Sequence, residues 1–247
     1  MAPRPPAQEL DKRLPRYHQV RETLSAEIAA RRWKPEEAIP SETEIASVHQ
    51  VSIGTVRKAI DSLVAHGVLE RFQGKGTFVR RPDFGSSFFR FFRFATVGGV
   101  ARVPVSRILK REVTPLTNVV AAALKLAVGT PAIRFSRLRL IDDRPLVLED
   151  IWLPHARFKA LLAIDPREFG DLWYPLYEEN CGVMVASAQE TLSAEAVSAK
   201  NARRLKLEAG EPVIVIERVA MSADRQPLEW RQSRGAASEF RYQVEIR

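Results

Sequence analysis

One cysteine, Cys181, and four scattered histidines in 247 residues leave little material for redox or metal chemistry. A lone cysteine closes no intramolecular disulfide and builds no cysteine metal cluster. The histidines show no metal-ligand spacing. No run approaches the roughly 18 apolar residues of a membrane span. The segment Met1 to Leu10 is polar and proline-rich, without the apolar centre of a signal peptide. The expectation is a soluble cytoplasmic protein with no metal, cofactor or membrane partner. A nucleotide-cradling loop and a nucleophile–base motif are also missing, so no catalytic residue is assigned and a non-enzyme is expected. Blocks of like charge are missing as well. The net charge is +8, with 14 Lys+Arg against 10 Asp+Glu in residues 1–82 and 24 against 20 in the remainder. A basic balance suits a nucleic-acid partner, but so even a spread leaves the argument to pattern.

What is present is a 45% hydrophobic chain, long enough for two packed domains. Tyr17, Val20, Leu24 and Ile28 form one helical stripe, predicting a first helix over residues 15–32. Ser41 and Glu44 make a capping box before a short second helix. His49 to Val51 is a turn, and Ser52 caps a third helix over residues 53–66, closed by Gly67. Two short helices joined by a tight turn are a helix-turn-helix. Its second helix presents Ser52, Gly54, Thr55 and Arg57 to base edges. Two short strands then flank the glycine-rich tip Gln73-Gly74-Lys75-Gly76, a hairpin with a basic end suited to phosphate or minor-groove contact.

The run PSETEIA…VSIGTVRKAIDSLVAHGVLERFQGKGTFV resembles the GntR family of bacterial regulators. The resemblance implies a winged helix-turn-helix, a homodimer on an inverted-repeat double-stranded DNA operator, and usually repression. The DNA-contact candidates are Ser41, Thr43, Ser52, Gly54, Thr55, Arg57, Lys75, Gly76 and Thr77. Thr43 and Ile53 depart from the family pattern, which often has arginine at both positions.

The remaining chain contains an internal repeat. Leu124–Ile133 recurs 81 positions later as Leu205–Ile214, and Arg137 and Arg218 match at the same offset. Each copy reads as strand, helix, strand, hairpin, strand, with helices near 118–125 and 194–206 and turns near Asp142-Asp143 and Ala223-Asp224. Two copies suggest a pseudo-symmetric antiparallel sheet with helices packed on it, an α+β plan. Alternation along the strands exposes an anomaly. Arg137 and Arg139 share a face with Ile133, Phe135 and Ile141, and Glu149 falls among Val147, Ile151 and Leu153. Glu217 sits among Val213, Val215 and Val219, and Glu229 follows the second turn. Buried charges must be paired or meet a ligand. Two accounts stand here: arginine–glutamate pairs between strands, or a pocket for an anionic or zwitterionic metabolite.

The blocks RLRLIDDRPLVLEDIWLP, YPLYEENCGV, LKLEAGEPVIVIERV and PLEWRQSRG resemble the UTRA domain of the HutC branch of GntR regulators. That resemblance implies a chorismate-lyase-like sensing fold. It carries effector contacts to Arg137, Arg139, Glu149, Tyr177, Glu229 and Tyr242. Many members have serine at the position of Pro175. The expected organisation is a flexible N-terminus at 1–14, a DNA-binding domain at 15–81, a linker at 82–90 and a sensing domain at 91–247. In the linker region, the aromatic run Phe88–Phe92 reads as a strand. The functional expectation is an effector-responsive repressor. The alternatives are an effector-independent DNA-binding protein and an enzyme on the second fold.

Overall fold

The computed structural model describes residues 14–80, 96–97, 100–101 and 104–240. The expected flexible start before residue 14, the linker, the strand at 88–92 and Tyr242 lie outside the described residues. Two compact units divide the chain: one is Met1–Pro82 with Met184–Ser187 and Met221–Gln226, and the other is the rest.

The first unit begins with helix α1, Arg16–Ala29, which buries Val20, Leu24 and Ile28. Helix α2, Glu42–His49, starts at the capping box read from the sequence. Ser41 Oγ accepts from the Glu44 amide at 3.3 Å, and the Ser41 amide donates to Glu44 Oε2 at 2.8 Å. Helix α3, Ile53–Ala65, is capped by Ser52, whose Oγ accepts from the Thr55 amide at 3.2 Å. Its inward row of Val56, Ala59, Ile60 and Leu63 joins the α1 stripe in one core. Strands β1, Leu69–Phe72, and β2, Gly76–Val79, pair antiparallel from Leu69↔Val79 to Phe72↔Gly76. The tip needs left-handed backbone at Gly74 (φ 74°) and Gly76 (φ 121°), where a side chain would be strained. This is the expected winged helix-turn-helix.

The second unit holds a short pair, β3 (Thr96–Val97) and β4 (Val100–Ala101), and a six-stranded sheet. Its strands are β5 (Val105–Pro115), β6 (Pro131–Ile141), β7 (Arg144–Pro154), β8 (Ser187–Ala196), β9 (Pro212–Met221) and β10 (Pro227–Ala236). The order β5-β6-β7-β10-β9-β8 reads the same from either edge, with β7 and β10 at the centre. This palindrome is the sequence repeat made visible. Helices α4 (Asn118–Leu124) and α7 (Ala199–Leu205) occupy equivalent places in the two copies. Both end on a left-handed lysine, Lys125 (φ 54°) and Lys206 (φ 56°), followed by a left-handed glycine, Gly129 or Gly210. Even the flanking bonds repeat: Leu116 N to Thr130 O and Val197 N to Glu211 O are both 2.9 Å.

One face of the sheet packs against α4 and α7. Val120, Ala121 and Leu124 meet Trp152 and Trp230, while Ala202 and Leu205 meet Leu138 and Leu148. On the other face, Phe135 and Tyr177 meet an aromatic group described below. That face takes helix α6, Trp173–Cys181, and the short helix α5, His155–Phe158.

One expectation needs correction. The second-copy helix was expected from residue 194, but 194–196 end strand β8 and the helix starts at Ala199. The run Ala194-Glu195-Ala196 has no pattern that separates strand from helix, and Ser198 sets the start by accepting from the Asn201 amide. With Arg218 on the opposite face, Glu217 stays on the face of Val213 and Val219, as strand alternation placed it. It accepts from Gln232 at 2.9 Å.

Ser41→Ala removes the reciprocal cap of α2 and is expected to lower stability by about 1 kcal/mol. Urea unfolding of the full chain checks this. An unchanged midpoint would mean that water replaces both bonds without cost.

Candidate functional site

Candidate DNA-contact residues gather on the surface of the first unit. Ser41, Thr43, Ser52, Gly54, Arg57, Lys75 and Gly76 are exposed, and Thr55 and Thr77 are half-buried. Caps at Ser41 and Ser52 start two helices, whose free amides suit phosphate oxygens. Ile53, the first residue of α3, is an exposed apolar side chain at the position where the family often has arginine.

The structure adds a residue that the sequence reading passed over. Glu42, the first residue of α2, accepts from Arg57 Nε at 3.0 Å and from Arg71 Nη2 at 3.2 Å. Arg71 also meets Asp61 at 2.9 Å. Helix α2, helix α3 and strand β1 are thus tied through one carboxylate. A signal existed in the acid beside Ser41, but only folding brings residues 42, 57 and 71 together.

In the second unit, a row of charge crosses the sheet on the face of α6. It begins at β5, where Ser106 Oγ accepts from Arg139 at 3.2 Å and Arg137 at 3.5 Å. Arg139 also donates to the Asp171 carbonyl at 2.6 Å. On β6, Arg137 donates through Nε to Glu149 Oε2 of β7 at 2.6 Å. Glu149 Oε1 accepts from Ser233 at 3.2 Å and Arg231 at 3.4 Å, both on β10. Arg231 forks onto Glu229 with two bonds of 2.9 Å. Glu229 accepts from Tyr177 at 2.6 Å and Tyr174 at 3.3 Å. On β9, Arg218 donates to Tyr174 at 3.4 Å and to Glu190 of β8 at 2.7 Å. Repeat partners Arg137 and Arg218 therefore occupy mirrored places in one network.

Arg137, Glu149, Tyr177 and Glu229 are all at most 2% exposed. Aromatic rings wall the row: Trp173 lies 5.0 Å from Phe135, and Phe158 5.0 Å from Tyr177. Burial alone would raise the Glu149 carboxyl, but Arg137, Arg231 and Arg139 outweigh it and hold it down to about 2. Burial pushes Arg139 down to about 10, and the neighbouring Arg137 charge adds to the effect. Burial also raises the Tyr177 hydroxyl, and Glu229 raises it further, so it stays a neutral donor. Of the six effector candidates, five meet on this face and Tyr242 is outside the described residues. Inter-strand pairing is present for Arg137–Glu149, as one of the two readings anticipated. Arg218, Arg231, Tyr174 and Trp173 were missed as members. The match of Arg218 to Arg137 was the available signal for the first. Among the described residues no group of three or more His, Cys, Asp or Glu is placed to hold a metal.

A winged helix-turn-helix and a separate unit with a buried, ligand-type polar face define the class: a DNA-binding transcription regulator of two units. Residues 16–79 match the bacterial regulatory proteins of the gntR family, and residues 100–241 match the UTRA domain. The chain is 31% identical over 216 residues to the "Probable fructoselysine utilization operon transcriptional repressor" of Escherichia coli strain K12, covering 86% of each. It is 28% identical over 206 residues to the HTH-type transcriptional repressor NagR of Bacillus subtilis strain 168, covering 83% of this chain and 84% of that one. The crystal structure of PhnF from Mycobacterium smegmatis has the same fold, with a TM-score of 0.55 at 22% identity over 92% of this chain and 99% of that one. This protein belongs to the GntR family of bacterial transcription regulators, in the branch that carries a UTRA domain. No helix among the described residues is long and apolar enough to cross a membrane.

Two outcomes are expected. The Glu149 carboxyl is lower in the folded chain than its ordinary 4.5. Its charge therefore stabilises the fold fully above about pH 4.5, and that stability is lost as pH falls toward 2. Unfolding midpoints from pH 6 to 2 should fall less steeply in Glu149→Gln than in the wild type; parallel curves would assign the acid loss to other groups. Glu42→Gln should raise affinity for scrambled duplex by removing a negative charge, and narrow the gap to the operator by roughly tenfold. An unchanged gap would limit Glu42 to bracing the wing.

Proposed function

We propose that this regulator is a cytoplasmic, non-enzymatic repressor. It binds an inverted-repeat operator as a homodimer and is released by a small anionic or zwitterionic metabolite held by the UTRA domain. The observation that carries the effector class is the pair Arg137 and Arg139, side by side on a buried face. Two guanidiniums there are deprived of water and repel each other, and both effects lower Arg139. An anion beside them relieves both costs, and the planar arginine fork suits carboxylate or phosphate. Glu149, Tyr177, Glu229 and, from the resemblance, Tyr242 complete the proposed ligand contacts. The names of relatives support this reading: two are repressors, and one concerns a sugar–amino acid conjugate. Ser41, Thr43, Ser52, Gly54, Thr55, Arg57, Lys75, Gly76 and Thr77 are the proposed operator contacts. Release requires that the metabolite bind the DNA-free state better, since a ligand shifts an equilibrium only by its differential affinity.

The test is fluorescence anisotropy on DNA from upstream of the protein's own gene, against a scrambled duplex in about 150 mM salt. A gap of about 10³-fold or more is expected. Sugar phosphates and sugar–amino acid conjugates are then screened for release. Arg139→Gln should keep operator affinity and weaken release by at least roughly tenfold. Release by a neutral sugar alone, or release unaffected in Arg139→Gln, would overturn the anionic class. Unchanged DNA affinity with every compound would favour an effector-independent DNA-binding protein.

A further inference from the structure

Trp173 opens helix α6 and is 3% exposed. Its ring lies against the Arg137 guanidinium, 4.1 Å from the cation to the ring centroid. Phe169 at 5.2 Å and Phe135 at 5.0 Å hold it in that position. Its indole Nε1 is buried and has no hydrogen-bond partner among the described residues. That is anomalous. A buried indole N–H ordinarily finds an acceptor, and leaving one unmade costs stability. The neighbouring donors are engaged: Tyr177 and Tyr174 donate to Glu229, and Ser233 donates to Glu149. The unmet donor belongs to the ring that packs on the Arg137 guanidinium of the proposed effector site.

We propose that Trp173 Nε1–H is a specificity-determining donor to the bound effector, taking an acceptor-only oxygen of the same phosphate or carboxylate group that Arg137 and Arg139 attract. The inference rests on the effector reading given above. The chemistry narrows the ligand. Indole donates and cannot accept, so the matching atom is an acceptor, and the two guanidiniums nearby select an anionic oxygen among acceptors. An ammonium group offers no such atom. The ring has a second role, because its face meets the Arg137 cation and holds it in line. A phenylalanine keeps most of that face and loses only the donor, so the two roles can be separated.

The experiment is a titration of the full-length protein carrying ¹⁵N-labelled indoles. Its four tryptophans, Trp33, Trp152, Trp173 and Trp230, give four indole signals, and Trp173→Phe identifies one of them. The probes are inorganic phosphate, a hexose 6-phosphate and malonate, so that phosphate and carboxylate are compared directly. With the probe that binds, the Trp173 indole proton should move downfield and exchange more slowly with water. Trp173→Phe should bind that probe roughly tenfold more weakly, the effect of losing a hydrogen bond to a charged acceptor. Saturable binding by calorimetry with an unmoved Trp173 signal, or full affinity in Trp173→Phe, would overturn the proposal and leave the effector reading standing. If none of the three probes binds, an anion that releases operator DNA in the screen replaces them, and the same two readouts decide. If no anion binds or releases DNA, the effector reading fails and this proposal fails with it. Should Trp173→Phe not fold, Trp33→Phe, Trp152→Phe and Trp230→Phe identify the signal by elimination, and the wild-type titration decides.

Discussion

Glu149 is a carboxylate at 2% exposure in the middle of a sheet, and the arrangement of the second unit follows from the need to satisfy it. An isolated buried carboxylate is expensive, so its partners must be charged and close. Arg137 supplies one from β6, and Arg231 and Ser233 supply two more from β10. Those arginines bring their own costs, which Glu229, Ser106 and the two tyrosines meet in turn. The result is one connected row that reaches every strand of the sheet, from Ser106 on β5 to Glu190 on β8. Such a row contributes little net stability over an apolar face. It creates polar groups inside a dry, aromatic wall, which is the physical requirement for recognising a charged metabolite.

The pseudo-symmetry explains where the row lies. Two copies of strand, helix, strand, hairpin, strand meet through β7 and β10. Equivalent positions on β6 and β9 then hold Arg137 and Arg218 on the same face. The copies are not chemically equal, because Arg137 pairs inward with Glu149 on β7 whereas Arg218 reaches outward to Glu190 on β8. The shared framework sets the backbone, and the divergence between copies sets the polarity along the face.

In the first unit the governing groups are the helix caps. Ser41 and Ser52 answer the free amides of α2 and α3 and leave both helix starts at the surface. Glu42 then couples them to the wing through Arg57 and Arg71. A carboxylate on the proposed DNA-contact face would repel phosphate, and here its charge is offset by two arginines held in place.

Much of this was legible in the sequence because it is local. The capping box, the α1 stripe and the hairpin glycines are patterns of near neighbours, and the 81-residue repeat shows when two stretches of the chain are compared. Strand alternation also placed Arg137, Arg139 and Glu149 on one buried face. Local pattern did not separate strand from helix at Ala194-Glu195-Ala196, where β8 ends. Tertiary structure alone decided which charges meet. The Glu42–Arg57–Arg71 tie and the bonds from Arg231 and Ser233 to Glu149 join residues 15 to 84 positions apart. Periodicity reports which way a side chain faces, whereas a hydrogen bond depends on what the folded chain brings within 3.5 Å, and that is set by strand order and register.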